Sequence, residues 1–386
     1  MNILFDLIAT QPMANAKFHG GGLYGEIVFF ALSKRVRHLT AIYNGKLYIN
    51  PKILESGIKL YDINHISLKE IAKNENIDVF YKPVLSCSSY ELPNALFKRC
   101  AITFHDVRDL EILYDRIESY YVPKSIKKII KKIAKFFIKD YLERRLRKKI
   151  KRLYDKSAYL KDTEFITDSE HSKHNIINFY PHLALKDIPV FYPPLNDEQF
   201  ELPLPKFEQK SYFLLTNSAR WEKNNLRAVW AFDELFSQRK DLTFKVVLTG
   251  VTNEKIYTKK MKNKDRFIFL GYVDRPELLS LYKNAYAFIF PSLNEGFGYP
   301  PIESMRYGVP VAASGTTSIP EICQNAAIYF DPYNVSEIKN RILQLLDKNI
   351  HAEYSARAVE RYKIVSEKQK ADLEKIVDFI LGGNNA

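Results

Sequence analysis

One stretch in the second half of the chain limits the folds that it can adopt. An apolar run from Ala285 to Phe290 ends at Pro291, which is typical of a buried parallel strand. A loop with two glycines follows, and Pro300-Pro301 then marks the start of a helix. This strand, loop and helix predict an open parallel sheet that binds its ligand at the carboxyl ends of the strands.

The loop itself has the composition of a ligand-binding segment. Gly296 and Gly298 permit positive φ angles and let a ligand approach the backbone closely. The N–H groups at the start of the helix suit an anion such as a phosphate. Glu295 and Glu303 would repel a phosphate, so we expect these carboxylates to bind sugar hydroxyls instead. The alternative is a simple connection in which Glu303 complements the helix dipole.

The same stretch resembles the signature of retaining glycosyltransferase family 4, Pro-Ser-x-x-Glu-Gly-Phe-Gly-x-Pro-x-x-Glu, and the resemblance continues at 308–312 and 318–321. It implies the GT-B fold, in which two doubly wound, Rossmann-like α/β domains face a central cleft and the second domain binds a nucleotide-sugar donor. It further implies that Glu295 contacts the donor sugar and Glu303 the ribose. The other donor-binding residues that it implies in this loop are Gly296, Phe297, Gly298 and Tyr299.

Length and the order of the predicted elements indicate two domains. A chain of 386 residues exceeds the range in which a single core keeps growing. Strands and helices alternate in both halves, and prolines cluster from Pro193 to Pro205. We therefore predict an N-terminal domain over 1–200 and a C-terminal domain over 201–365. The fold resemblance implies that a last helix, 366–386, crosses back onto the first domain.

The first half contains one turn signal and one glycine run. Asn44-Gly45 predicts a hairpin between Leu39–Tyr43 and Leu47–Ile49. The glycine run lies between the first strand and its helix. It predicts a loop that a ligand can approach closely, with a flexible connection as the alternative. The resemblance places this loop on the acceptor side, and its residues are Gly20, Gly21 and Gly22.

A histidine and an aspartate follow the strand Ala101–Phe104 of the first half. A position just past a strand end favours a ligand-binding role. The resemblance implies that His105 donates a hydrogen bond to the donor sugar across the cleft, with Asp106 beside it. The alternative is that Asp106 caps a helix and His105 is an ordinary loop residue.

A basic loop after the first strand of the second half suits the phosphates of a donor. Arg220 has a planar guanidinium that fits phosphate oxygens, and Lys223 has a mobile point charge. The resemblance implies a basic pair here, although a separation of three residues is shorter than in many family members. The alternative is a surface loop in which Arg220 pairs with Glu222. The resemblance also places the nucleotide base near backbone groups of Tyr272 or Val273.

Nearly all of the net charge lies in one segment. Residues 124–156 include 15 basic and three acidic residues, a local net charge of +12 out of +13 for the chain. Apolar residues recur there every three or four positions, which predicts an amphipathic helix. Such a helix favours the surface of an anionic membrane. The alternatives are an ordinary solvated surface and a nucleic acid partner, which we do not expect because no RNA- or DNA-binding module accompanies the segment.

Several motifs are missing from the sequence. It has no Asp-x-Asp, no His-Glu-x-x-His and no paired Cys-x-x-Cys, so we expect neither a metal nor another cofactor. It also lacks a stretch of about 18 apolar residues and a signal peptide. We therefore expect a cytoplasmic protein that lies on the cytoplasmic face of the membrane.

These observations combine into one functional prediction. We expect a retaining, metal-independent hexosyltransferase that uses a UDP- or GDP-sugar and a membrane-associated glycan acceptor, such as a lipid-linked oligosaccharide, lipopolysaccharide or another surface polysaccharide. Arg220 and Lys223 would stabilise the leaving diphosphate. The alternatives are a nucleotide-sugar epimerase, a phosphorylase, and a non-catalytic protein of the same fold that binds membrane or nucleic acid.

Overall fold

The chain folds into two α/β units. The computed structural model describes residues 1–11, 20–85, 92, 96–121, 126–195 and 200–383, with the backbone alone for 126–140 and 142. The first unit comprises Met1–Glu111, Asp140–Asp197 and Glu367–Ala386. The second comprises Ile112–Lys139 and Glu198–Ser366.

The first unit is built on a parallel sheet of six strands. Its strand order is β3-β2-β1-β4-β5-β6, and Ile3 of the central strand pairs with Leu39 on one side and Val79 on the other. The order reverses between β1 and β4, which makes this the doubly wound arrangement. The strands are β1 Ile3–Asp6, β2 Leu39–Tyr43, β3 Lys59–Asp62, β4 Val79–Lys82, β5 Arg99–Thr103 and β6 Glu164–Ile166.

Helices cover both faces of this sheet because successive strand residues point to opposite sides. Phe5 packs in a core with Val28 and Ile376, whereas Leu4 packs in a second core with Tyr154 and Ile176. The helices of the first half are α1 Gly20–Ser33, α2 Pro51–Leu54, α3 Leu68–Asn74, α4 Arg108–Glu111, α5 Glu118–Tyr121, α6 Ile126–Ala158 and α7 Glu170–Phe179.

Two predictions for the first unit are wrong in their local structure. The hairpin at Asn44-Gly45 does not form, because β2 pairs in parallel with Lys59–Asp62 and residues 47–50 are not a strand. The predicted glycine loop is also absent, because Gly20, Gly21 and Gly22 form the first turn of α1. Three glycines are poor helix formers in isolation, so packing of the rest of α1 on the sheet decides the outcome.

The second unit repeats the architecture of the first. Its six parallel strands have the order β12-β11-β10-β7-β8-β9. The strands are β7 Tyr212–Leu215, β8 Lys245–Leu248, β9 Phe267–Phe269, β10 Ala287–Phe290, β11 Val311–Ser314 and β12 Ala327–Phe330. The helices are α8 Asn225–Gln238, α9 Lys255–Thr258, α10 Arg275–Asn284, α11 Tyr299–Met305, α12 Ile319–Cys323, α13 Val335–Leu345 and α14 Lys348–Ile380.

A short segment from the first half of the sequence is built into the second unit. Ile117 is 1% exposed and lies in the core of that unit. Asp115 accepts two hydrogen bonds from Arg227 of α8, at 2.9 and 3.0 Å, and the hydroxyls of Tyr121 and Tyr257 lie 2.9 Å apart. Residues 112–139, predicted as part of the N-terminal domain, belong to the second unit.

Two 33-residue helices differ in how well they were anticipated. The helix predicted over 124–156 is present as α6. The last helix is longer than predicted, because α14 begins at Lys348 and runs without a break to Ile380. Its final residues, including Ile376, pack in the core of the first unit. No helix in the described part of the chain is long and apolar enough to cross a membrane.

Candidate functional site

The second sheet brings two of the predicted loops together. Its strand order reverses between β7 and β10, and ligands of doubly wound sheets bind outside the strand ends at this point. The loops that follow these strands, 216–224 and 291–298, therefore lie side by side. The N–H of Leu293 donates to the carbonyl of Glu222 at 2.9 Å, and the Asn224 amide donates to the carbonyl of Pro291 at 3.0 Å. The basic loop and the glycine loop are therefore in direct contact and together make one candidate site.

Lys223 and Glu295 meet at the centre of this site. The Lys223 Nζ lies 2.5 Å from Oε1 of Glu295, and the two side chains are 7% and 9% exposed. Lys223 is predicted to bind the diphosphate and Glu295 the sugar. A nucleotide sugar joins these two groups through one oxygen atom, so the residues that bind them must be neighbours. The structure brings them together, and their roles stay predictions.

Backbone contacts fix the glycine loop. Ser318 donates from its hydroxyl to the carbonyls of Glu295 and Phe297, both at 2.9 Å. Gly298 has a φ of 109°, a conformation that side chains rarely adopt, and it caps α11. Tyr299 begins α11, and the prolines that follow it carry no N–H. The first turn therefore offers a phosphate fewer backbone donors than the sequence analysis expected.

Arg220 lies at the edge of the site. Its Nε and Nη2 donate to Oε1 of Glu222 at 2.8 and 2.6 Å, and its side chain is 44% exposed. Burial opposes the charged form of Glu222, but the nearby Arg220 guanidinium outweighs it and lowers the pKa of the carboxyl group. This is the surface pairing that the sequence analysis gave as the alternative, and a phosphate role for Arg220 stays a prediction.

Glu303 has a partner that the sequence analysis missed. The Arg275 Nη1 lies 2.6 Å from Oε1 of Glu303, and the side chains are 21% and 17% exposed. Arg275 begins α10, directly after the segment that includes Tyr272 and Val273. Tyr272 is 63% exposed and Val273 is half-buried. An arginine at the start of a helix opposes the helix dipole, and this misplacement was the available signal.

The first unit places His105 in a buried polar network. Its Nδ1 lies 2.6 Å from Oδ2 of Asp168, and its Nε2 lies 2.9 Å from the carbonyl of Pro83. The Tyr24 ring packs edge-on against the imidazole, with the ring centres 4.7 Å apart. Both ring nitrogens thus have partners inside the first unit, and a bond from His105 to a donor sugar stays a prediction.

The other predicted site residues of the first unit, Asp106 and the glycines of α1, lie at the starts of helices. Asp106 accepts hydrogen bonds from the backbone N–H and the guanidinium of Arg108, at the start of α4. Burial opposes ionisation of Asp106, but Arg108 outweighs it and lowers the pKa to about 2. At the start of α1, Gly20 is exposed and Gly22 is buried. A role for these residues in binding the sugar acceptor stays a prediction.

The surroundings of His105 predict a raised pKa. Burial opposes the charged ring, but the Asp168 carboxylate outweighs it and raises the pKa of His105 above 6.5. The protonated ring therefore contributes stability that is fully present below pH 6.5 and is lost as the pH rises through the folded-state pKa. An NMR titration of the His105 ring should show this raised pKa, and Asp168→Asn should lower it. A His105 pKa at or below 6.5 in the wild-type protein would contradict the assignment.

Comparison with known proteins agrees with the geometry. Residues 196–364 match the family of glycosyl transferases group 1. The O-antigen chain mannosyltransferase RfbU of Salmonella typhimurium is 28% identical over 255 residues, which are 65% of this chain and 61% of that protein. The O-antigen chain mannosyltransferase B of Escherichia coli is 46% identical over 78 residues, 20% of each chain. The chain thus spans less than two thirds of the length of these relatives.

Solved structures of low sequence identity share the whole fold. WaaG, a glycosyltransferase involved in lipopolysaccharide biosynthesis, superimposes with a TM-score of 0.65 at 14% identity, over 99% of this chain and 100% of that chain. HepE of Anabaena, solved in complex with UDP and glucose, gives a TM-score of 0.62 at 14% identity over the same shares. Residues 196–364 thus match the glycosyl transferases group 1 family, and the chain has the two-domain GT-B fold.

Proposed function

We propose that the protein is a retaining hexosyltransferase of glycosyltransferase family 4, which moves a hexose from a nucleoside diphosphate to a hydroxyl of a membrane-associated glycan. The observation that carries the proposal is the contact between Lys223 and Glu295 at the switch point of the second sheet. It puts a buried cation next to a buried carboxylate at the place where a doubly wound sheet binds nucleotides.

The chemistry assigns a separate task to each residue of the site. Lys223 stabilises the negative charge that develops on the leaving diphosphate, and its effect is strong because water is largely excluded around it. Arg220 reaches the same diphosphate from the edge of the site. Glu295 accepts hydrogen bonds from the sugar hydroxyls, and Glu303 accepts them from the ribose.

The anomeric configuration is retained when the acceptor attacks the same face of the sugar that the diphosphate leaves. The acceptor oxygen forms its bond to the anomeric carbon as the carbon–oxygen bond to the diphosphate breaks, and the acceptor proton passes to a leaving phosphate oxygen. The cations that this scheme needs are Lys223 and Arg220, so we propose that no metal or cofactor takes part. The anomeric configuration of the product, read by NMR, tests retention, and inversion would contradict it.

The relatives suggest which sugars and acceptors to test first. Two are O-antigen chain mannosyltransferases by name, and one solved neighbour holds UDP and glucose. We therefore propose a mannosyl or glucosyl donor linked to GDP or UDP, and an acceptor in the O-antigen or lipopolysaccharide class. The test is incubation with UDP-, GDP- and ADP-sugars, with and without lipid-linked acceptor extract, followed by mass spectrometry of the product. A protein that transfers no sugar from any donor would contradict the proposal.

We also propose that α6 holds the protein on an anionic membrane at the cytoplasmic face. In the part of α6 with described side chains, Tyr141 is 62% exposed, and Leu146 and Leu153 are also exposed. Basic residues occupy the same exposed surface, namely Arg144, Arg145, Lys148, Lys149 and Arg152. An aromatic and aliphatic surface whose charges are mostly basic, with Asp155 as an exposed exception, suits anionic headgroups better than water alone.

Flotation with lipid vesicles tests this membrane proposal. Each basic residue near the surface contributes about 1 kcal/mol, so replacing four with glutamine should lower binding to anionic vesicles by about 10²–10³-fold. The four positions are Arg145, Lys148, Lys149 and Arg152. A control variant removes four exposed lysines elsewhere, namely Lys34, Lys73, Lys240 and Lys262. The proposal would be contradicted if neutral vesicles recovered as much protein as anionic ones. It would also be contradicted if the control variant lost as much binding as the α6 variant.

A further inference from the structure

Each carboxylate of the glycine loop and its helix is paired with a cation from another element. Glu295 pairs with Lys223, which the proposed function already uses. Glu303 pairs with Arg275, to which the proposed function gives no task. Two unpaired carboxylates beside a phosphate site would repel the ligand. The two ion pairs remove this conflict, because each negative charge has a positive partner within 2.6 Å.

Arg275 is held in a fixed place beside Glu303. It is the first residue of α10, and Asp274 caps this helix by accepting a hydrogen bond from the N–H of Glu277 at 2.9 Å. The Arg275 side chain is 21% exposed, so it is largely packed against the protein. Within the described residues its buried Nε has no hydrogen-bond acceptor. A buried donor without an acceptor destabilises the fold, and a purely structural ion pair gives no reason to retain it.

We propose that Arg275 is a positioning residue for Glu303 in the nucleoside part of the donor site, an inference that rests on the proposed function. The guanidinium holds the carboxylate in the orientation that receives the ribose hydroxyls, and it neutralises a charge that would repel the diphosphate. Arg275 also lies two residues after Val273, in the segment proposed to contact the base. Arg275 thereby links the two segments that would bind the nucleoside.

Equilibrium binding of nucleoside diphosphates to the full chain tests this inference. By calorimetry, Arg275→Met should weaken the binding of UDP or GDP, whichever the wild-type protein binds, by about tenfold. Arg275→Lys should recover part of the loss, because a lysine keeps the charge but not the planar geometry. Arg306→Met, at the end of the same helix as Glu303, is the matched control and should leave binding unchanged.

Two comparisons separate positioning from a general structural effect. Analogues that lack the 2′ and 3′ hydroxyls should lose clearly less affinity in Arg275→Met than UDP or GDP does, because only the charge effect on the diphosphate remains for them. In a Glu303→Gln background, Arg275→Met should cause no further loss, because the residue acts through Glu303. Unchanged binding of UDP and GDP by Arg275→Met, or an equal loss for the analogues, would overturn the inference alone. A wild-type protein that binds no nucleoside diphosphate would overturn the proposed function and the inference with it.

Discussion

Lys223→Met should lower kcat for sugar transfer by about 10²–10³-fold. Removing one preorganised group that stabilises charge in a transition state has an effect of this size. Lys223 is 7% exposed, so water cannot replace the lost ammonium group effectively. Because the charge on the diphosphate develops during the reaction, kcat should fall more than the affinity for the donor. Steady-state kinetics with saturating acceptor measure both quantities, and Lys240→Met, at an exposed lysine, is the control.

The same substitution also affects stability, and a second variant separates the two effects. Lys223→Met leaves the buried Glu295 carboxylate without this cation, which costs about 3–5 kcal/mol of unfolding free energy. The double variant, Lys223→Met with Glu295→Gln, removes both charges of the pair. No unpaired charge is then left buried, so much of this stability should return. The double variant should nevertheless stay inactive. If it recovered activity together with stability, the ion pair would be structural and the assignment of Lys223 and Glu295 to the donor would be wrong.

Asp115→Asn should destabilise the second unit by about 3–5 kcal/mol, because it leaves a buried arginine without its charged partner. Arg227 is 3% exposed and Asp115 is 10% exposed. Arg227 also donates to Oδ1 of Asn224 at 2.8 Å, and Asn224 joins the two loops of the candidate site. The substitution should therefore destabilise the loops of the candidate donor site as well as the core of the second unit.

Hydrogen exchange of the backbone amides in α8 measures this effect within the second unit. Protection of α8 in Asp115→Asn should fall by a factor that corresponds to the lost unfolding free energy. Asp241→Asn is the matched control, because its pair with Arg239 is exposed on both sides and should contribute little. If α8 kept its protection in Asp115→Asn, the segment that precedes α6 would not be an integral part of the second unit.

Local sequence patterns predicted the parts of the fold that depend on neighbouring residues. The strand predicted from the apolar run Ala285–Phe290 and the helix predicted over 124–156 from apolar periodicity are both present. The hairpin at Asn44-Gly45 failed because a turn signal cannot compete with a parallel partner, β3, that lies further along the chain. The helical first turn of α1 likewise depends on packing against the sheet, which overrides the low helix propensity of glycine.

Contacts between distant residues could not be predicted from the sequence. The pairing of Asp115 with Arg227 spans 112 positions, and nothing near either residue indicates its partner. Lys223 and Glu295 were each assigned to the donor, but their direct contact depends on the strand order, which places β7 next to β10. Arg275 was overlooked because its task depends on Glu303, a residue of another helix. Single residues of a site can thus be predicted from the sequence, but their contacts depend on the strand order.

Release of the nucleoside diphosphate from a panel of UDP-, GDP- and ADP-sugars, by the wild-type protein and by Lys223→Met in parallel, tests the central claim most directly. We predict that the wild-type protein releases the diphosphate from one class of donor when acceptor is present. Lys223→Met should do so about 10²–10³-fold more slowly, while still binding the nucleotide. Equal rates for the two proteins, or no release by the wild-type protein from any donor, would contradict the claim that this site transfers sugar.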